Sequence, residues 1–174
     1  MSKETLILTG FMGMGKSTVG RIAASFAEVD FFDTDTWMAQ QGIDVPALVS
    51  SNPERFRRVE AESLAEIAKK DRRIIATGGG IVSTEIGRNA LLDSDVPIVW
   101  LRASFELAAL RVKADSSVIR PLFRDEESAR RLHDERLEHY SDTAKYVVDA
   151  ARKPDLVAAD IASILAINSE GVLR

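Results

Sequence analysis

The chain has 174 residues, 45% hydrophobic and 29% charged, with a net charge of −4 and no cysteine. That length suits one domain (1–174) with a sizeable core, and the composition excludes disordered and fibrous classes. Disulfides and thiolate metal sites are excluded, the acidic balance argues against general nucleic-acid binding, and no apolar run approaches a membrane span. The N-terminus enters the first apolar run with only Lys3 and Glu4 as charges, so no signal peptide is read and a cytoplasmic protein is expected.

Thr5-Leu6-Ile7-Leu8 reads as a buried strand, and Ser17 to Ala27 as a helix with Val19, Ile22, Ala23 and Phe26 on one face. Between them lies Gly10-Phe11-Met12-Gly13-Met14-Gly15-Lys16-Ser17, with the spacing of a phosphate-binding P-loop. Glycines let bare N–H groups reach phosphate oxygens, and the helix directs the positive end of its dipole at the same place. Lys16 supplies a point charge, and the Ser17 hydroxyl can ligate Mg²⁺. Thr18 stands where a dinucleotide fingerprint needs glycine.

Phe31-Phe32-Asp33 reads as a short strand ending in acid, and an extended Asp33-Thr34-Asp35 turns both carboxylates to one side. A helix N-cap beside a surface acid is the alternative. Residues 36–51 read as weak helices broken by Gly42 and Pro46. Asn52-Pro53 opens a helix to Lys70 that buries Phe56, Val59, Leu64 and Ile67. Glu60, three residues after Arg57, can orient that guanidinium, although a solvated charged face is the commoner outcome for such residues.

Arg73 to Thr77 reads as a buried strand running into Gly78-Gly79-Gly80, a bare backbone that a ligand can approach closely at the carboxyl edge of a parallel sheet. Ser83 to Leu92 is a helix, Val96 to Leu101 a strand, and Ser104 caps a helix reaching Val112. Lys113 to Asp125 lacks periodicity and reads as a lid, in which Arg120 is either a stabiliser of phosphoryl charge or an ordinary surface arginine. Glu126 to Tyr140 is a charged helix bearing Arg136, with His133 and His139 read as surface residues. Lys145 to Asp149 is the last strand, and Pro154 opens a helix with Val157, Ile161, Ile164 and Leu165 on its apolar face. Trp37 and Trp100 read as packing residues. Five strands alternating with helices predict a three-layer α/β/α sandwich around a parallel sheet.

The ordered set of motifs resembles the shikimate kinases over nearly the whole chain. It comprises Gly-Phe-Met-Gly-x-Gly-Lys-Ser-Thr-Val-Gly-Arg at 10–21, Asp-x-Asp at 33–35, Phe-Arg-x-x-Glu at 56–60, Gly-Gly-Gly at 78–80, Val-Trp-Leu at 99–101 and Arg-Pro-Leu at 120–122. The resemblance implies a nucleoside-monophosphate-kinase-like P-loop fold and transfer of the γ-phosphoryl of ATP to the 3-hydroxyl of shikimate. It implies that Gly13, Met14, Gly15, Lys16, Ser17 and Thr18 hold the phosphates, with Arg120 reaching them and Arg111 and Arg152 beside adenine. Ser17 and Asp33 would hold Mg²⁺. Asp35 would meet the acceptor hydroxyls and is the candidate base, with Lys16 and Arg120 catalytic beside it. Arg57 and Arg136 would grip the acceptor carboxylate and the amides of Gly78, Gly79 and Gly80 would complete the pocket, within a substrate segment of about 34–62 and under a lid of about 113–125. A cytoplasmic monomer acting on small molecules, without nucleic-acid or membrane partners, is expected. Glu138 replaces the proline usual two residues after the late arginine and adds a negative charge near Arg136; Pro53 stands where glycine is usual; Met38-Ala39-Gln40 lacks the usual acid. These departures leave open a kinase of another polyol acid such as gluconate, or a nucleotide-binding regulatory domain.

Overall fold

The computed structural model describes residues 4–114 and 125–170. The apolar runs form β1 (Thr5–Thr9), β2 (Asp30–Asp33), β3 (Arg73–Ala76), β4 (Ile98–Arg102) and β5 (Tyr146–Asp149). All pair in parallel in the order β2-β3-β1-β4-β5. β1 and β3 are buried at every residue, as the interior strands of a covered parallel sheet require.

The helices are α1 (Lys16–Ala27), α2 (Thr34–Gln40), α3 (Val45–Ser51), α4 (Pro53–Ala68), α5 (Glu85–Leu92), α6 (Phe105–Ala114), α7 (Glu126–Thr143) and α8 (Pro154–Glu170). α1 packs on α8, while α4, α5 and α7 pack in succession. The sandwich expected from the alternation is therefore present. β1 is the central strand, and its carboxyl end, between β3 and β4, carries the glycine loop to the position where open parallel sheets bind ligands.

Several local expectations are corrected. Phe26 is 54% exposed, and α1 instead buries Val19, Gly20, Ala23 and Ala24. At Gly20 a Cβ would meet the side chains of Phe31 and Leu8, so α1 lies close on the sheet at that position. Pro46 does not break a helix. It lies in the first turn of α3, where its missing N–H costs nothing, and Asp44 caps that turn through Ala47 N at 3.0 Å. α5 begins only after a 3₁₀ turn, Ile81–Ser83, because Thr84 is its cap. Val59 is only half-buried. His133 is not a surface residue; it is buried edge-on against Phe11 and Phe105, at centroid distances of 5.2 and 5.6 Å. Residues 115–124, and with them Arg120 and most of the expected lid, lie outside the described residues.

Candidate active site

The P-loop conformation follows from its glycines. Gly10 has φ +139° and Gly13 φ +80°, and a side chain at either would lie 2.6 Å from a backbone oxygen, of Leu101 and Ala108 respectively. Both angle and space demand glycine. α1 then starts at Lys16 with no side-chain cap, whereas α2 to α7 are capped by Asp33, Asp44, Asn52, Thr84, Ser104 and Asp125. The N–H groups of that first turn, at the positive end of the helix dipole, make an anion site. Lys16 Nζ donates to Gly10 O at 2.7 Å and Phe11 O at 3.0 Å, which holds the ammonium over the loop.

Ser17 Oγ donates to Asp33 Oδ2 at 2.6 Å. The other oxygen of Asp33 accepts from Asp35 N and Thr36 N at 3.1 and 3.3 Å and caps α2. The N-cap reading and the cleft reading of Asp33 are therefore both met. Asp35 is not in extended backbone as expected but in the first turn of α2. Both carboxylates nonetheless line the same cleft, of about 640 Å³, with Gly13 to Thr18, Thr77, Gly78 and Gly79. Its far wall holds Arg111, Ala150, Arg152 and Pro154. Arg111 spans from Gly13 O (3.5 Å) to Ala150 O (2.9 Å), and Arg152 pairs with Asp160. The Ser17 hydroxyl and Asp33 carboxylate are hard oxygen donors suited to Mg²⁺, which prefers one or two carboxylates and completes its shell with phosphate oxygens and water. Among the described residues there is no group of three His, Cys, Asp or Glu that could hold an ion unaided.

Beside this cleft the three glycines turn against a charged cluster. Arg57 Nη1 and Glu60 Oε2 are 2.6 Å apart, and Glu60 is fully buried. Burial pushes the Glu60 carboxyl up to about 7, against the opposing pull of Arg57, and the second carboxyl oxygen has no hydrogen-bond partner among the described residues. A Cβ on Gly78 would run into that oxygen, and one on Gly80 would lie 2.6 Å from the Arg57 guanidinium carbon. The triple glycine is thus explained by the side chains that occupy the space.

Arg136 is buried to 4% exposure; it lies over the Phe11 ring and donates to Gly79 O at 3.1 Å. Burial lowers its pKa, with the Arg57 charge acting in the same direction and Glu60 against it. Glu138 is exposed, and two residues along a helix turn a side chain to nearly the opposite face, so its charge does not enter this cluster.

The structure therefore brings Lys16, Ser17, Asp33, Asp35, Gly78 and Gly79 into one cleft, with Arg57, Gly80 and Arg136 adjoining it. Four participants were not singled out from the sequence. Thr34 Oγ1 accepts from Gly78 N at 3.2 Å, and Tyr140 Oη donates to Gly79 O at 2.5 Å. Thr77 and Arg21 line the cleft. Only Tyr140 had a signal, one helical turn after Arg136 and so on the same face.

A parallel sheet with an uncapped P-loop helix, a lysine over the loop and an acid pair in the same cleft defines a P-loop small-molecule kinase. A family model described as shikimate kinase matches residues 12–166. The shikimate kinase of Nitrosospira multiformis is 35% identical over 170 residues, covering 94% of this chain and 86% of that protein. That of Lactococcus lactis subsp. cremoris is 35% identical over 161 residues, covering 90% and 95%. Among solved structures, the shikimate kinase from Acinetobacter baumannii, in complex with shikimate, superposes with a TM-score of 0.80 at 26% identity over 94% of this chain and 93% of that one. A gluconokinase from Sinorhizobium meliloti reaches a TM-score of 0.61 at 19% identity over 97% and 95%, a likeness of fold alone. The chain belongs to the shikimate kinase family.

Proposed function

We propose that this protein transfers the γ-phosphoryl group of ATP to the 3-hydroxyl of shikimate, forming shikimate 3-phosphate and ADP. The bond from the acceptor oxygen to phosphorus forms as the bond to the β-phosphate oxygen breaks, and the hydroxyl proton leaves. Such transfer asks the protein for alignment and charge neutralisation more than for covalent chemistry. The α1 N-terminus and Lys16 would carry the triphosphate charge, while Arg111 and Arg152 would flank the base. Asp35 would orient the attacking hydroxyl and accept its proton. Arg57, Arg136 and the glycine amides would take the acceptor carboxylate. Ser17 and Asp33 would hold Mg²⁺, which would supply positive charge to the triphosphate. We extend this reading to a cytoplasmic monomer in which Arg120 contacts the phosphates from a lid over 113–125.

The observation that carries the proposal is the pairing of two sites across one turn. Gly78 and Gly79 line the phosphate cleft, while Gly80 abuts the Arg57–Glu60 ion pair beside Arg136. A hydroxylated carboxylate fits that arrangement, with its anion on the arginines and a hydroxyl towards Asp35. The exposed position of Glu138 keeps its charge away from the arginines assigned to the acceptor carboxylate. The test is ADP release with Mg²⁺ and a panel of hydroxy acids. Shikimate is expected to be turned over well above the rest. Equal or faster turnover of gluconate refutes the acceptor assignment, and nucleotide binding without turnover of any acceptor refutes the enzymatic one.

A further inference from the structure

We infer that Tyr140 is a positioning residue for the acceptor site: its hydroxyl fixes the plane of the Gly79–Gly80 peptide, and through it the direction of the Gly80 N–H. This rests on the acceptor assignment above. Gly79 O accepts two bonds from α7, 2.5 Å from Tyr140 Oη and 3.1 Å from Arg136 Nη1. The neighbouring turn bonds run from Ile81 N to Gly78 O and from Ser83 N to Gly80 O, and neither uses the Gly80 N–H.

A trans peptide is planar, so a carbonyl held towards α7 directs the following N–H away from α7. Here the peptide lies between two glycines, where no Cβ resists rotation of the plane. What resists is the pair of donors on the carbonyl. Tyr140 makes the shorter bond, and it is rigidly mounted, 1% exposed and stacked on Trp100 with centroids 5.7 Å apart. Burial also pushes its hydroxyl well above the usual phenolic range, so it remains a donor across the working pH range. Arg136 is the weaker anchor because it has a second task, the acceptor carboxylate. On its other side Gly79 backs onto the P-loop, where Gly10 O and Met12 N each lie 3.2 Å from the position of a Cβ. That packing involves the Gly79 Cα and not its carbonyl, so rotation of the peptide is expected to redirect the Gly80 N–H more than it disturbs the phosphate loop.

The test is calorimetric titration of shikimate and of Mg·ADP into the wild type and Tyr140→Phe. The variant keeps the ring and its stacking and loses the hydroxyl, and with it the bonds to Gly79 O and to the Arg136 side chain. Shikimate is expected to bind about tenfold more weakly, equivalent to 1.4 kcal/mol, with the nucleotide affinity within twofold of wild type. Unchanged shikimate affinity, or an equal loss for both ligands, overturns the inference; the latter is the signature of a general structural role. A wild type that binds no shikimate overturns the acceptor assignment and this inference with it, whereas shikimate binding shared equally by wild type and variant removes the inference alone. Should the variant not fold, the wild type labelled with 3-fluorotyrosine decides the matter. The chain has two tyrosines, and Tyr146→Phe assigns their signals. Acceptor bound to the Gly80 N–H polarises the peptide and strengthens the bond at its carbonyl, so the Tyr140 fluorine signal is expected to move on saturation with shikimate. A signal that stays in place overturns the inference.

Discussion

Glu60 offers the sharpest test of the physical account. Its carboxyl is 0% exposed, with one oxygen on Arg57 and the other unpartnered. Burial raises it from 4.5 to about 7. The folded chain therefore holds this proton more tightly than the unfolded chain does. The stabilisation is fully present below the unfolded value of 4.5 and is lost as pH rises through the folded value of about 7. At about 1.4 kcal/mol per unit the whole displacement amounts to roughly 3 kcal/mol, of which about 2–3 kcal/mol falls between pH 5 and 8. Glu60→Gln keeps the shape and an acceptor for Arg57 but does not titrate. Urea unfolding of both proteins by circular dichroism at pH 5, 6, 7 and 8 isolates the contribution, because all other titrating groups are shared. The wild type is expected to lose about 2–3 kcal/mol more than the variant over that interval, or roughly 5–10 °C in Tm for a domain of this size. Parallel pH curves would refute the reasoning, since they would mean that the ion pair with Arg57 outweighs desolvation.

The same carboxyl is expected to tune acceptor binding: once ionised it would neutralise Arg57 and repel an incoming carboxylate. The KM for shikimate is expected to rise with pH through about 7 in the wild type and to stay flat in Glu60→Gln, measured at saturating Mg·ATP. Gly80→Ala places a methyl group 2.6 Å from the Arg57 guanidinium carbon. Displacement of that group predicts a loss on the order of 10²-fold in kcat/KM for the acceptor, with the KM for ATP unchanged. Asp33→Asn retains a competent helix cap but loses the charge beside Ser17, so a near-native Tm should accompany a raised Mg²⁺ requirement in a metal titration of the rate. Asp35→Asn is expected to lower kcat by about 10²–10⁴-fold while fluorescence titration shows nucleotide binding intact; parallel loss of nucleotide affinity would place Asp35 in the wrong site.

Much of this architecture is legible in the order of the residues because its determinants are local. The apolar runs at 5–9, 73–76 and 98–102 are short and bounded by turn-formers, so period and length identify them as strands of a covered sheet. The glycine loop is legible for the same reason: Gly10 and Gly13 answer to backbone angles that no other residue adopts cheaply. The misreadings occur where a neighbour distant in sequence decides. Phe26 has helical apolar spacing, but at the last turn of α1 it stands 54% exposed. His133 looks solvent-facing on a charged helix until Phe11 and Phe105 close over it. Asp33 was read as a cap or as a cleft acid, and its two oxygens serve one purpose each.

The order of residues alone determined the phosphate-binding loop, the parallel sheet behind it and the identities of the charged groups around the three glycines. Those features depend on backbone angles, hydrophobic period and residue chemistry, all of which are read within a few positions. Tertiary structure alone decided that Glu60 is buried and lies near neutrality, that Arg136 and Tyr140 meet on one carbonyl, and that Glu138 stands clear of both. Burial and hydrogen-bond partnership arise where α4, α7 and the turn after β3 converge, and the energies that set charge and orientation there depend on distances between residues as far apart in the chain as Arg57 and Tyr140.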